Sequence, residues 1–465
     1  MTSKVSRRAL GGTARERAAE VLLRVEEDKA YAAPALAVAL ERAPALVGPD
    51  RGLCTEIVYG VLRSQRAIDQ RIRRHITREG SYETLDGYVR ALLRVATYEI
   101  LGLERVPPRA SVHAAVESIT RDRSKGLGGF ANALLRKLAQ ERVEGPLDAQ
   151  RLALAMDSVH PSVRKEFADA LGSDSDAGSV LAAMLGRTMA THVRVEATQG
   201  TVDSLIEKLT QERPRAVITR GALARDALHV SGAGDLRDTE AYREGLFAVQ
   251  EEGAQAVGLA LDVQPGQRVL DVCAGRGGKS ALLASLMGSQ GVLHACDLYP
   301  EKLARGRDEL ARLGLLREGL TYEAHAADLT RGWGTLEAHA REGYDRVLVD
   351  APCSGLGTLA RRPELLLRRE SGRGEREELG SVQRGILLRS AGAVRVGGTL
   401  VYAVCTLTRE EGEGMCEWFL REHPGFELAD AGEGVSERLR AARVLLRPDR
   451  DGSDGFVLWR VKRVR

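Results

Sequence analysis

Long apolar runs are missing from this 465-residue sequence, and none approaches the roughly 20 residues needed to cross a bilayer. A membrane protein is therefore not expected. The start, MTSKVSRRALGG, is basic, but no apolar stretch follows it, which argues against secretion. Cysteine is sparse. The six residues 54, 273, 296, 353, 405 and 416 form no CxxC pair, so neither a metal site nor a disulfide scaffold is expected, and free thiols fit a reducing cytoplasm. Lysine is scarce too, 9 residues against 59 arginines. Arginine suits bidentate phosphate contacts, yet genome base composition is the simpler reason for that bias.

No excess of one charge marks the whole chain, whose formal net charge is +3. The distribution is uneven, however. Residues 1–150 hold 25 Lys+Arg against 19 Asp+Glu, a balance of +6 that leaves −3 for the other 315. A basic N-terminal part suggests contact with a polyanion, because cationic side chains that neutralise phosphates give nucleic-acid affinity. The hydrophobic fraction of 43% and charged fraction of 29% are ordinary globular values, and the length suggests about three domains.

Ala18, Val21, Leu22 and Val25 fall at i, i+3, i+4 and i+7, the stripe of an amphipathic helix. Similar stripes recur through 50–76, 85–103, 110–123 and 127–140, which predicts an all-helical domain. Turns are expected at Pro107-Pro108 and Gly126 to Gly129, and GSDSDAG at 172–178 reads as a loop. After Gly245 the pattern becomes short β-rich runs separated by helical stretches. Strands are expected at 268–273, 291–297, 320–326, 345–350 and 398–404, and helices at 279–288, 300–313 and 381–395. That alternation specifies an α/β domain with a mostly parallel sheet, whose ligands bind beyond the strands' carboxyl ends.

The motifs lie at those ends. Cys273-Ala274-Gly275-Arg276-Gly277-Gly278-Lys279-Ser280 closes one strand and opens a helix, so its backbone can approach a ligand at a helix N-terminus. Gly278-Lys279-Ser280 matches the end of a phosphate-binding loop, but the first glycine of that pattern would fall at Cys273. A nucleoside fits better, since Asp297 ends the next strand and can accept from ribose hydroxyls. Asp328, just past the third strand, can hydrogen-bond a purine ring, although a helix cap is the blander role for it.

DRVLVDAPCSGLGTLARRPELLLRR is the most informative segment. A buried strand ends at Asp350, and the turn Ala351-Pro352-Cys353-Ser354-Gly355 sets a carboxylate beside a thiol. Cys405 follows the next strand. C5 methylation of a pyrimidine uses such a set. A thiolate adds at C6, the resulting enamine attacks a sulfonium methyl group, a carboxylate steadies N3, and a second thiol or base helps release the product. Which thiol attacks is not decided by position. Arg361, Arg362, Arg368 and Arg369 bracket an apolar ELLL stretch and can hold RNA phosphates or form a solvated helix face.

The order of these motifs resembles the Sun/RsmB branch of the NOL1/NOP2/Sun family of RNA cytosine-5 methyltransferases. CAGRGGKS at 273–280 is similar to that family's CAAPGGKT, and PCSG at 352–355 is identical. LLRVATYEILGLERVPPRASVHAAVESI and GFANALLRKL resemble NusB-type helical RNA-binding domains. HPSVRKEF at 160–167 and the ending RPDRDGSDGFVLWRVKR lie where the family has related segments. Arg276, Val404-Cys405-Thr406 and QEEGAQ at 250–255 depart from the family's usual Pro, Thr-Cys-Ser and QDEASQ.

The resemblance implies a NusB-like RNA-binding domain at 1–142, a small mixed RNA-contact region at 150–240 and a Rossmann-like methyltransferase domain at 241–465. It implies that Cys273 to Lys279, Asp297 and Asp328 bind S-adenosylmethionine and that Asp350 borders both ligands. Cys405 would be the nucleophile, and Cys353 the thiol assisting product release. The implied partner is small-subunit ribosomal RNA before full assembly, with no membrane and no metal. A non-catalytic RNA-binding or antitermination factor would leave Cys353 and Cys405 without a purpose, and a P-loop NTPase is the other alternative.

Overall fold

The computed structural model describes residues 12–78, 80–142, 145–186, 190–368 and 373–465. The basic start and Arg369 lie outside the described residues. Two compact units emerge. One holds 12–164, 181–186 and 359–368, and the other 165–180, 190–358 and 373–465.

The first unit is helical: α1 (Ala14–Glu27), α2 (Ala32–Glu41), α3 (Gly48–Arg74), α4 (Gly87–Gly102), α5 (Pro108–Asp122), α6 (Lys125–Gln140) and α7 (Leu147–Ser158). Thr13 and Glu16 satisfy each other's backbone donors at the start of α1, a capping box that fixes where this helix begins. The stripe Ala18, Val21, Leu22 and Val25 is fully buried, and it packs into one core with α3 and α4. Burying a side chain of that size contributes about 1.5–3 kcal/mol.

Gly126 to Gly129 form the first turns of α6 and not the connection before it. Ser124 caps that helix by accepting from Leu127 N at 3.2 Å, and Gly128 lies against Thr120, whose Oγ1 would be 1.9 Å from an added Cβ. Gly128 serves close helix packing, while Gly129 faces open space.

Residues 359–368 join this unit from far along the chain. Leu365 and Leu366 are buried, and Leu367 packs on the helical core. Arg368 donates to the carbonyls of Lys29 (2.5 Å) and Ala30 (3.3 Å), while Arg362 and Arg368 lie 4.7 and 4.2 Å from the Tyr31 ring centroid. Arg63 donates to the Ala360 carbonyl at 2.9 Å. Arg362 and Arg368 are thus engaged within the unit.

Helices α8 (Pro161–Leu171) and α9 (Asp174–Leu185) follow. GSDSDAG is therefore largely helical, not a loop. Ser173 accepts from Asp176 N at 3.0 Å and donates to its carboxylate at 2.7 Å, so a Ser-x-x-Asp cap starts a helix within a composition that suggests a turn.

The second unit contains two sheets. β1 (Thr191–Val195), α10 (Val202–Glu212), β2 (Val217–Arg220), β3 (Ala227–Ser231), α11 (Glu240–Arg243) and β4 (Phe247–Val249) build an antiparallel sheet of order β2-β3-β1-β4. Then come α12 (Glu252–Ala260), β5 (Arg268–Val272), α13 (Gly278–Leu286), β6 (Gly291–Asp297), α14 (Pro300–Arg312), β7 (Leu320–Ala326), α15 (Glu337–Glu342) and β8 (Tyr344–Asp350), after which α16 (Leu365–Arg368) belongs to the helical unit. The remainder is α17 (Arg373–Gly392), β9 (Val394–Val404), α18 (Glu413–Glu422), β10 (Phe426–Leu428), α19 (Glu437–Arg440), β11 (Arg443–Leu446), α20 (Pro448–Asp451) and β12 (Phe456–Arg463).

The large sheet runs β10-β12-β9-β8-β5-β6-β7, with β11 on β12. β5 to β9 are parallel neighbours, and β12 enters antiparallel beside β9. This is the expected Rossmann-like arrangement, made mixed by its C-terminal strands. Strand order reverses between β5 and β8, which opens a crevice at their carboxyl ends.

Candidate active site

Parallel register aligns the strand ends. Val272 of β5 is opposite Val349 of β8, and Asp350 is opposite Ala403 of β9. The chain segments that follow, beginning at Cys273, Ala351 and Cys405, consequently emerge side by side at one edge.

In the first, Cys273, Gly275 and Gly277 all have positive φ, at 62°, 57° and 78°. Cysteine is uncommon in that region, where a non-glycine residue stores about 1–3 kcal/mol of strain. Gly277 admits no side chain, since a Cβ would meet Gly306 of α14 at 2.5 Å. Gly275 faces open space, with nothing closer than 3.9 Å to such a Cβ. Asp297 pins the turn by accepting from Gly275 N at 2.9 Å and from Tyr299 N at 3.0 Å. Each of its oxygens retains a second lone pair for a ligand hydroxyl. Leu298 and Tyr299 follow it with large exposed side chains. Gln250 Nε2 is buried without a hydrogen-bond partner, 4.0 Å from where a Gly278 side chain would begin. An open glycine cradle, a fixed carboxylate and an orphaned amide donor fit a nucleoside with polar edges. Arg276 projects outward, exposed.

Beneath the turn, Asp271 is completely buried and accepts from Ser280 Oγ at 2.6 Å. Burial pushes its carboxyl up to about 7, with the Asp350 and Asp297 carboxylates adding to the effect and Ser280 and Lys279 opposing it. Lys279 Nζ lies 2.6 Å from Asp350 Oδ2. Burial works against the Lys279 charge, but the Asp350 carboxylate outweighs it and holds the ammonium above its usual range. A phosphate-binding loop would keep this lysine for its ligand, whereas here a carboxylate takes it.

Cys353 Sγ is 3.2 Å from Cys405 Sγ, and both are free thiols. The hydrogen bond to Cys405 and burial, with Glu411 and Asp350 nearby, push the Cys353 thiol well above the usual thiol range. Cys353 thus stays protonated at neutral pH and can donate to a thiolate on Cys405.

The turn carrying Cys353 is held by Glu411, a buried residue the sequence reading passed over. Its carboxylate accepts from Ser354 N (2.9 Å), Ser354 Oγ (2.6 Å), Gln383 Nε2 (3.0 Å) and Thr408 Oγ1 (3.0 Å). Gln383 also donates to the Pro352 carbonyl at 2.9 Å, and Ser354 Oγ bonds Thr406 at 3.0 Å. Charge-assisted bonds of this kind are the stronger ones. Gly357 N donates to the Cys405 carbonyl at 3.0 Å, and Gly455 N to the Gly357 carbonyl at 2.9 Å. A Cβ on Gly357 would lie 2.1 Å from the Gly455 oxygen.

Asp328 stands apart from these contacts. It accepts from Thr330 N (3.0 Å) and Thr330 Oγ1 (2.6 Å), and Arg331 pairs with it at 3.2 Å. Asp271, Ser280 and Gln250 lay inside segments read only as a strand, a loop end and a family departure. Only Asp271 carries a signal, a polar residue within the otherwise apolar run of its strand.

Comparison with known proteins matches residues 258–462 to the 16S rRNA methyltransferase RsmB/F family and residues 12–140 to the NusB family. The probable ribosomal RNA small subunit methyltransferase B of Bacillus subtilis (strain 168) is 32% identical over 457 residues, covering 97% of this chain and 98% of that protein. The probable small subunit methyltransferase B of Synechocystis is 29% identical, with 97% and 99% covered. Among solved structures, PH0851 aligns with a TM-score of 0.80 at 24% identity, over 98% of this chain and 100% of that one. NSun6 from Pyrococcus horikoshii, crystallised with SFG, aligns with a TM-score of 0.55 at 17% identity, over 67% and 100%. These two structures share the fold.

Proposed function

The chain belongs to the RsmB/F family of 16S rRNA methyltransferases, and on that premise we propose that it methylates C5 of a cytosine in 16S ribosomal RNA through a covalent adduct on Cys405. The observation carrying this reading is the 3.2 Å approach of two free thiols, Cys353 and Cys405, beside the Lys279–Asp350 pair.

S-adenosylmethionine supplies a sulfonium methyl group when bound. The Cys273 to Lys279 turn would hold it, with Asp297 on the ribose hydroxyls and Asp328 as the candidate contact to the purine. The target cytosine must leave its stack to enter, as bases do for enzymes that modify them. Cys405 reacts as a thiolate, to which Cys353 Sγ, 3.2 Å away, can donate. That thiolate adds at C6 and makes C5 nucleophilic. Lys279 donates to Asp350 at 2.6 Å, and this pair steadies the charge that develops at N3. After C5 has taken the methyl group its proton passes to solvent, the electron pair re-forms the C5–C6 double bond, and the Cys405–C6 bond breaks to return the thiolate, to which protonated Cys353 can donate. Cys353, at 3.2 Å, is placed to assist that release. Glu411 keeps Cys353 in position.

We assign RNA binding to the helical part at 1–142 and further RNA contact to 150–240, with chemistry in 241–465. The substrate on this reading is small-subunit RNA before full assembly.

Transfer of labelled methyl from S-adenosylmethionine to protein-free 16S rRNA by the wild type, Cys405→Ala and Cys353→Ala tests the proposal. Label in cytosine C5 should vanish in Cys405→Ala, and a protein–RNA adduct should accumulate on a denaturing gel in Cys353→Ala. Continued C5 methylation by Cys405→Ala would overturn the nucleophile assignment.

A further inference from the structure

Three histidines and a glutamate converge at the edge of the large sheet, away from the two thiols. His294 lies on β6, Glu323 and His325 on the edge strand β7, and His339 on α15. In the β6–β7 register His294 is opposite Glu323. Residues two apart on a strand share a face, so His325 joins them, and α15 brings His339 over the group. The Nε2 atoms of His294, His325 and His339 lie 3.8, 3.3 and 3.6 Å from one carboxylate oxygen, Glu323 Oε2. One ligand atom from each of the four falls within 4.8 Å of every other.

Hydrogen bonding within the protein leaves this arrangement incomplete. His325 Nε2 and His339 Nδ1 are buried without a hydrogen-bond partner. Three protonated Nε2 groups would crowd three donors onto one oxygen, and unprotonated ones would turn their lone pairs toward each other. A cation at the centre removes that conflict. Two of the three outer ring nitrogens are already oriented, His294 Nδ1 2.6 Å from Tyr344 OH and His325 Nδ1 3.0 Å from Thr335 Oγ1, while that of His339 has no such partner. Such outer contacts fix the tautomer of a metal-bound histidine.

A second cluster, His192, His229 and Glu252, makes a useful contrast. Glu252 accepts from Leu223 N (2.6 Å), Ala224 N (3.0 Å) and His229 Nε2 (2.7 Å), and its own N–H donates to His192 Nδ1 at 3.2 Å. Ordinary hydrogen bonds account for that group.

We propose that His294, Glu323, His325 and His339 form a closed tetrahedral site for a zinc-class divalent cation, clamping β6, β7 and α15 together. Four protein ligands with no open position make a structural site, and three imidazoles with one carboxylate suit zinc among the divalent metals. With metal–ligand bonds of about 2.0–2.1 Å, tetrahedral ligand atoms stand about 3.4 Å apart. The three distances to Glu323 Oε2 bracket that spacing. Scarcity of paired cysteines does not bear on a site built from imidazole.

The test uses full-length, tag-free protein, stripped with chelator and reloaded with zinc(II), with metal per chain measured by mass spectrometry. Stoichiometric zinc should bind the wild type and Cys353→Ala/Cys405→Ala, and should be lost from Glu323→Gln and His339→Ala. Those two side chains are partly exposed, and thermal unfolding in chelator checks that both variants fold. Cobalt(II) should give tetrahedral d–d bands with no thiolate charge-transfer band, and zinc should raise the melting temperature of the wild type but not of His339→Ala. Absence of stoichiometric zinc, its retention in His339→Ala, or a thiolate band would overturn the proposal.

Discussion

Asp271 is a carboxyl group that spends neutral pH near its own midpoint. Burial raises its folded pKa to about 7, whereas an unfolded chain titrates near 3.9. Between those values the folded protein keeps a proton that the unfolded chain has lost. The contribution to stability is therefore complete below about pH 4 and is lost as pH rises through about 7. A shift of about three units corresponds to roughly 4 kcal/mol. Asp271→Asn cannot titrate, so the unfolding free energy of the variant minus that of the wild type should rise by roughly 4 kcal/mol between about pH 4 and pH 8. Denaturant titration at the two pH values measures it, and a constant difference would rule out a raised pKa at Asp271. This residue was invisible in the sequence because LDVC reads as plain strand. Asp350, Cys353 and Cys405 were legible as candidates because each stands at or just beyond a strand's carboxyl end within a distinctive motif. Glu411, Gln383 and the His294 cluster acquire meaning only when separate elements converge, which local pattern does not encode.

Among elements, the parallel strands were the easiest to read. β5, β6 and β8 are short, largely apolar and buried runs that end at polar or glycine-rich turns, because both faces of a central parallel strand are covered. β12 and α2 are not anticipated by local pattern; the buried face of α2, Ala32, Ala35, Leu36 and Ala39, lies in a stretch that is apolar almost throughout. β12 owes its place to a long-range antiparallel pairing with β9, from Val457 opposite Val404 to Lys462 opposite Thr399. Where β12 begins, Gly455 packs backbone to backbone against Gly357, and Gly357 in turn holds the Cys405 carbonyl. Backbone on both sides leaves no flexible group to yield. Gly357→Ala should therefore lower stability by about 3 kcal/mol or more and sharply reduce methyl transfer. A variant with the wild-type melting temperature and activity would mean that these three segments separate without consequence.

At the level of the whole molecule, the units are not consecutive stretches of chain. Residues 359–368 belong with the helical unit although they follow the Cys353 turn closely in sequence. Cutting the chain after residue 164 would strip the cover from Leu365 and Leu366, which are buried there. A 165–465 fragment is expected to aggregate or to be cleaved rapidly near residue 365, and polar substitutions at these two leucines should improve its solubility. Limited proteolysis and sedimentation of the fragment would show this, and a soluble fragment resistant near 365 would contradict it.

The same excursion sets an order of events during synthesis. A ribosome adding about 5–20 residues per second releases the helices up to α7 long before it reaches Leu365, Leu366 and Arg368. The N-terminal helical core is thus left open, with the Lys29 and Ala30 carbonyls and the Tyr31 ring awaiting their partners, until more than three-quarters of the chain has been made. The first unit to be translated is among the last to be finished.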